Sequence, residues 1–140
     1  MTSFLHLKSY AYTQLSVKAN PEGALTVQPK MDVSINYAME SETDRRVKLG
    51  LNLGSSEKGA YGYDIVIQME ALISVNKDYP IQNLEHAACV NTMSILFSAA
   101  REILLSLTSR CIAGPVFLPT INFAEIVSGE IQIPQPAKSA

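Results

Sequence analysis

A chain of 140 residues, 47% apolar and 17% charged, is long enough to bury a sizeable core and is neither disordered nor fibrous. Its formal net charge of −2 argues against nucleic-acid binding, which needs clustered Lys and Arg to displace counterions from phosphates. The only basic residues close together are Arg45, Arg46 and Lys48, which read as a solvated turn and strand edge. Residues Met1 to Lys8 lack a basic start and a long apolar block, so no signal peptide is expected. The greasiest region, Ala87 to Leu107, is interrupted by Asn91, Arg101 and Glu102, short of the roughly 20 apolar residues that cross a bilayer. Cys89 and Cys111 are too few for a disulfide scaffold and point to a reducing cytoplasm.

The first two thirds alternate with the period of half-buried strands. The first segment changes phase: Leu5 and Leu7 are odd, Tyr10 and Tyr12 even, Leu15 and Val17 odd again. Each change would turn the apolar side over, so a long, bent first strand with bulges near Ser9 and Thr13 is expected. Met31, Val33, Ile35, Tyr37 and Met39 share one side of a second strand; Val47, Leu49, Leu51 and Leu53 share one side of a third. A fourth runs from Tyr61 to Val75. Short polar turns at residues 40–44 and 55–59 join the last three as a meander, and residues 20–30, with two prolines, form a crossover loop. The expected sheet is four-stranded and antiparallel.

After Pro80 the period becomes helical, with Asn83 a candidate N-cap. On a helical wheel, Cys89, Met93, Leu96, Phe97, Ala100, Ile103, Leu104, Leu107 and Cys111 form the stripe expected to lie on the sheet. The opposite face carries Ala88, Asn91, Ile95, Ser98, Ala99 and Glu102 and is poor in charge for a solvent face. Small residues let another backbone approach, so these six are candidate oligomer-interface residues. The plainer alternative is an exposed face with few charges. From Pro115 to Val127 the chain is rich in large apolar residues and broken by Pro115 and Pro119, which predicts an extended arm rather than a continued helix. The whole chain, 1–140, thus reads as one α+β domain: sheet over 1–76, long helix over 83–112, C-terminal arm and tail over 113–140.

Catalytic patterns are missing. His86 and Cys89 stand three apart on a helix, as two metal ligands could, but the chain has no CxxC pair and no HExxH; a buried thiol and a surface histidine are expected instead. There is no GxSxG elbow, and the glycines form no phosphate cradle. Arg101 and Glu102 read as structural ion pairing at a packing surface. Asp64 and Glu70 share a strand face but sit about 20 Å apart by the rise of a strand, too far for paired-carboxylate chemistry. No enzyme, catalytic residue, metal or cofactor is expected. What remains is apolar surface: an arm laid against the sheet or the crossover would wall a groove of the kind that binds extended polypeptide. The same arm could equally complete the core.

Three segments carry a family resemblance: Ile95-Leu-Phe-Ser-Ala-Ala-Arg-Glu102, Leu107-Thr-Ser-Arg110 and Leu118-Pro-Thr-Ile-Asn-Phe123. Together with the element order, they resemble the LFPYARE…SRG helix motif and the later L-P-x-N-F-D segment of the SecB export chaperones. Leu15-Ser-Val-Lys-Ala-Asn-Pro21 is more weakly similar to that family's first strand end. The resemblance implies an ATP-independent holdase in the cytoplasm, a homotetramer built as a dimer of dimers, whose clients are unfolded or pre-export polypeptides in protein transport. The candidate client-binding residues are Val33, Ile35 and Tyr37 with Phe117, Leu118, Ile121 and Phe123.

The departures from the family matter. Gln14, Lys18 and Val66 stand where carboxylates that meet the SecA motor would fall; Ser98 replaces a proline and Ala124 an aspartate. Docking to SecA is therefore expected to be weak. A specialised chaperone, such as one serving a toxin–antitoxin system, fits better than general export. The alternatives are a non-catalytic adaptor for one folded partner, or a small-ligand cup. Cup folds usually place the long helix before most of the strands, which counts against the last.

Overall fold

The computed structural model describes residues 4–55 and 59–130, with side chains as far as Val127. Strands β1 (Leu5–Ala19), β2 (Lys30–Met39), β3 (Asp44–Gly54) and β4 (Tyr63–Val75) precede helices α1 (Leu84–Thr108) and α2 (Phe123–Glu130). All strand pairs are antiparallel, in the order β1-β4-β3-β2, so β1 and β2 are the two edges. The crossover after β1 carries the chain from one edge to the other.

The phase changes in β1 have the expected consequence. Its register against β4 slips between Leu7 and Ser9 and again between Tyr12 and Gln14. Each extra residue returns the apolar series to one face, so that Leu7, Tyr10, Tyr12, Leu15 and Val17 all pair with buried residues of β4. The crossover is tied down at its start, where Asn20 donates from its backbone to Gly62 O (2.9 Å) and from its carboxamide to Tyr61 O (2.9 Å). Gly23 sits so close that a Cβ would lie 2.2 Å from Tyr61 O.

The expected turn at 40–44 is present, closed by Glu40 N–H to Asp44 O (3.0 Å) and by Asp44 N–H to Ser41 Oγ (3.0 Å). The turn at 55–59 falls largely outside the described residues. On the helix-facing side, alternate residues of β3 and β4 from Val47 to Leu53 and from Tyr63 to Val75 are buried. Each such Leu or Ile contributes roughly 1.5–3 kcal/mol relative to exposure.

Helix α1 lies on that face, but its buried stripe is rotated from the expected one. Glu85, Ala88, Thr92 and Thr108 are buried along with Cys89, Met93, Leu96, Phe97, Ala100 and Leu104, whereas Leu107 is 40% exposed and Ile103 and Cys111 only half-buried. A wheel counts threonine as polar, yet each buried hydroxyl donates back up its own helix, Thr92 to Ala88 O (2.7 Å) and Thr108 to Leu104 O (2.6 Å). Satisfied in this way, they can lie under the helix.

Asn83 also departs from expectation. It occupies the cap position with left-handed torsions (φ 58°, ψ 58°) and makes no side-chain capping bond. Its carbonyl still accepts from Ala87 N–H (3.1 Å). By length and composition α1 could span a membrane, despite Arg101 and Glu102; the same test passes the core helix of a water-exposed fold, and here the sheet covers one face.

The extended arm holds only as far as Asn122. Beyond Pro119 no proline interrupts the chain up to Glu130, and Phe123, Ile126 and Val127 recur at helical spacing, so α2 forms. The Asn122 carboxamide oxygen accepts from Ala124 N–H (3.1 Å) at its start. Phe123 then meets Phe97 edge-on, with ring centroids 5.4 Å apart, which fastens α2 to α1.

Candidate functional site

Edge strand β2 and helix α2 flank an open groove of about 440 Å³ lined by Met31, Asp32, Val33, Ile121 and Ile126. Strand alternation puts Met31 and Val33 on the helix-facing side, and the arm delivers Ile121 opposite them. Of the seven candidate client-binding residues, the fold brings Val33 and Ile121 together here. Ile35 is half-buried further along the same strand. Tyr37, Leu118 and Phe123 are 5%, 4% and 3% exposed and belong to the core of this chain. Phe117 is 74% exposed and lies elsewhere, beside α1, with Ser98, Arg101, Glu102 and Leu105. Sequence reasoning missed Met31 and Ile126. Met31 shares the phase of Val33 and was legible; Ile126 was hidden because the segment read as an extended arm.

The candidate interface residues also divide. Asn91, Ile95, Ser98 and Glu102 are exposed along α1, and Ala99 is half-buried with its carbonyl accepting the Tyr12 hydroxyl (3.2 Å). Ala88 is fully buried against the sheet, because the stripe is rotated towards it.

The reading of Arg45 as solvated is corrected by the structure. Arg45 is 1% exposed and pairs with Glu85 in the first turn of α1. Its Nη1 donates to the carbonyls of Ser41 (2.9 Å), Glu42 (3.2 Å) and Asp44 (3.0 Å) in the β2–β3 turn. The Tyr37 hydroxyl donates to the same carboxylate (3.1 Å). Arg45 stands in phase with Val47 and Leu49, so strand geometry forces it inward, and the distant Glu85 together with the turn carbonyls makes that tolerable.

Burial first, then the Glu85 charge, pushes the Tyr37 hydroxyl far above its ordinary range. The same two causes raise the Cys89 thiol to about 12, so it stays a protonated, unreactive core group. Its neighbour His86 is half-buried. Among the described residues no three His, Cys, Asp or Glu side chains cluster as metal ligands would.

The opposite face of the sheet points to solvent, and several of its charges are paired. Arg46 bridges Glu40 and Glu70, Lys8 contacts Asp44 (3.0 Å), and Lys18 stands directly across from Asp64. Gln14 faces Gln68, and Ser16 faces Val66.

Against known proteins, the family described as preprotein translocase subunit SecB matches residues 9–133. This chain belongs to the SecB family. Among solved structures, it is similar to the Mycobacterium tuberculosis SecB-like chaperone Rv1957 in complex with a ChAD peptide from the Rv1956 HigA1 antitoxin. That likeness has a TM-score of 0.59 at 14% identity over 84% of this chain and 90% of that one. A Streptococcus agalactiae protein of unknown function gives a TM-score of 0.48 at 16% identity, over 83% and 97% of the two chains. A comparison with curated proteins finds no match. In this SecB-family chain the Ile95–Glu102 motif forms the middle of α1, and the Leu118–Phe123 motif leads into α2.

Proposed function

We propose that this protein is an ATP-independent chaperone, a holdase that binds unfolded or pre-export polypeptide in the groove between β2 and α2. The observation that carries the reading is that groove in a SecB-family chain: Met31, Val33, Ile121 and Ile126 present a partly covered apolar wall beside an edge strand. Apolar burial gives affinity at about 25 cal/mol per Å² without demanding a particular client sequence. The free rim of an edge strand adds main-chain hydrogen bonds. No step of this work requires a catalytic group, a metal or a nucleotide. We place it in the cytoplasm as a homo-oligomer, a dimer of dimers joined in part through the outer face of α1, so that several weak grooves act on one client by avidity.

A dedicated client is favoured over general export through the SecA motor. On the solvent face, Gln14 and Lys18 are exposed where acidic docking residues were expected, Glu40 and Glu70 are paired with Arg46, and Asp64 stands across from Lys18, which leaves less negative charge to steer a basic partner. The similar M. tuberculosis chaperone holds a peptide from an antitoxin, and service to a toxin–antitoxin pair is the specialised role we assign. The test is fluorescence anisotropy of a labelled, permanently unfolded polypeptide titrated with the wild type and with Val33→Asp/Ile126→Asp. Binding by the wild type and a loss of about tenfold or more in the variant are expected, since two apolar contacts become charges. Equal binding by both would remove the groove from the account.

A further inference from the structure

We propose that the solvent face of the sheet carries a second binding site, a polar depression over Gly50 that takes the carboxylate of an aspartate or glutamate side chain on a partner protein. It lies on the face turned away from α1 and does not depend on the apolar groove.

Gly50 stands in the interior of β3, where glycine has no side chain to pack and weakens the strand. Two common reasons for keeping one are absent. The ladders of β3 with β2 and with β4 run through Gly50 without a shift in register, so it marks no bulge. Nor does its backbone have the positive φ found at Gly59 and Gly114. What remains is room for a close approach. A Cβ would lie 2.3 Å from Ser34 Oγ, so the Ser34 hydroxyl leans over the bare backbone of its neighbour. From the other edge, the irregularity of β1 between Tyr12 and Gln14 sets Thr13 on the same rim. The result is an open depression of about 510 Å³ with Thr13, Ser34, Asn36, Lys48, Gln68 and Glu70 around it.

The rim is made mostly of donors without partners. Gln68, Gly50 and Ser34 form one row across the strands, and Glu70, Lys48 and Asn36 form the next. Among the described residues, the side chains of Thr13, Ser34, Asn36, Lys48 and Gln68 make no hydrogen bond or ion pair. Other cations of this face are taken, Lys8 by Asp44 and Arg46 by Glu40 and Glu70. Because Arg46 holds Glu70, the one carboxylate on the rim, Lys48 keeps a charge to offer. A single ammonium beside two carboxamides and two hydroxyls is matched to one negative charge shared by two acceptor oxygens. A phosphate dianion would be repelled by Glu70. The carboxylate arrives on a protein rather than as a free acid. All five unpaired side chains are exposed, and so open a depression cannot enclose most of a small molecule as ligand pockets do. A side chain already fixed on a docked surface needs no such enclosure. The partner is acidic at this point, the opposite of the basic partner that an acidic face would steer.

The test is saturation-transfer difference NMR, which reads weak binding to a large protein. The probes are the end-blocked tripeptides Gly-Glu-Gly and Gly-Gln-Gly and, as a free acid, gluconate. Each is titrated with the wild type, Lys48→Gln and Gly50→Ala/Ser34→Ala, with circular dichroism melts to check folding. The wild type should bind the glutamate peptide in preference to the glutamine peptide. Both variants should bind it about tenfold more weakly, since a charge-assisted contact is lost in one and the space is filled in the other. The double variant removes a strand-weakening glycine together with the hydroxyl that a Cβ would meet, so its melt should be no lower than that of the wild type. Equal signals from the two peptides overturn the site, and so does a glutamate-peptide signal that survives in Lys48→Gln. Gluconate held through Lys48 while the glutamate peptide is not held overturns the protein partner.

Discussion

Arg45 and Arg46 are adjacent in β3 and point to opposite faces of the sheet. Arg45 is shut beneath α1 with Glu85 and Tyr37, and its guanidinium also ties the carbonyls of the β2–β3 turn. Arg46 lies across Glu40 and Glu70 on the solvent face, with its side chain 38% exposed. Both are ion pairs to carboxylates. The difference is what surrounds them: water can replace a lost partner for Arg46, and nothing can for Arg45. The same residue type is therefore structural on one face and close to neutral on the other.

The comparison is broken or sharpened most strongly at Glu85. Glu85→Ala leaves the Arg45 guanidinium buried without its carboxylate and should cost about 3–5 kcal/mol in denaturant unfolding. The double change Arg45→Met/Glu85→Met should recover most of that loss, because it removes both charges and keeps the volume. A double variant as unstable as the single one would mean that the pair is not the reason the site is stable.

Next in size is the alkaline limit of stability. Cys89, whose thiol is raised to about 12, and Tyr37, raised as well, remain protonated in the fold after they ionise in the unfolded chain. The unfolded state then binds fewer protons, so stability is full below pH about 9 and falls as pH rises towards 12. Denaturant midpoints measured between pH 8 and 11 should decline, and less steeply in Cys89→Ala; a flat profile would show that these groups are not buried as described. Smallest of all is Arg46→Ala, whose denaturation midpoint should be indistinguishable from the wild type. A clear loss there would erase the contrast between the two faces.

Much of this was legible in the chain because it is local. Period-two runs gave β2, β3 and β4, and phase changes alone located both irregularities of β1. The burial of Arg45 was only half legible: its phase with Val47 and Leu49 points inward, but an arginine beside a turn and next to Arg46 reads as solvated until Glu85, forty residues later, is seen to pair with it. The rotation of α1 had the same origin: Thr92 and Thr108 look polar until their hydroxyls are seen to bond within the helix, and Ala88 went to the wrong face with them. Helix α2 was masked by Pro115 and Pro119, which govern only the residues around them. The contribution of α2 to the groove therefore stayed hidden, because Ile126 reaches it only when α2 is wound.

The most direct test of the central claim is aggregation suppression. A chemically unfolded protein is diluted, without nucleotide, into increasing amounts of this one while light scattering is followed. The account predicts suppression that saturates near one oligomer per client and is largely lost in Val33→Asp/Ile126→Asp. Unchanged scattering at severalfold excess of the wild type would contradict the proposal that the groove holds unfolded polypeptide without demanding a particular client sequence.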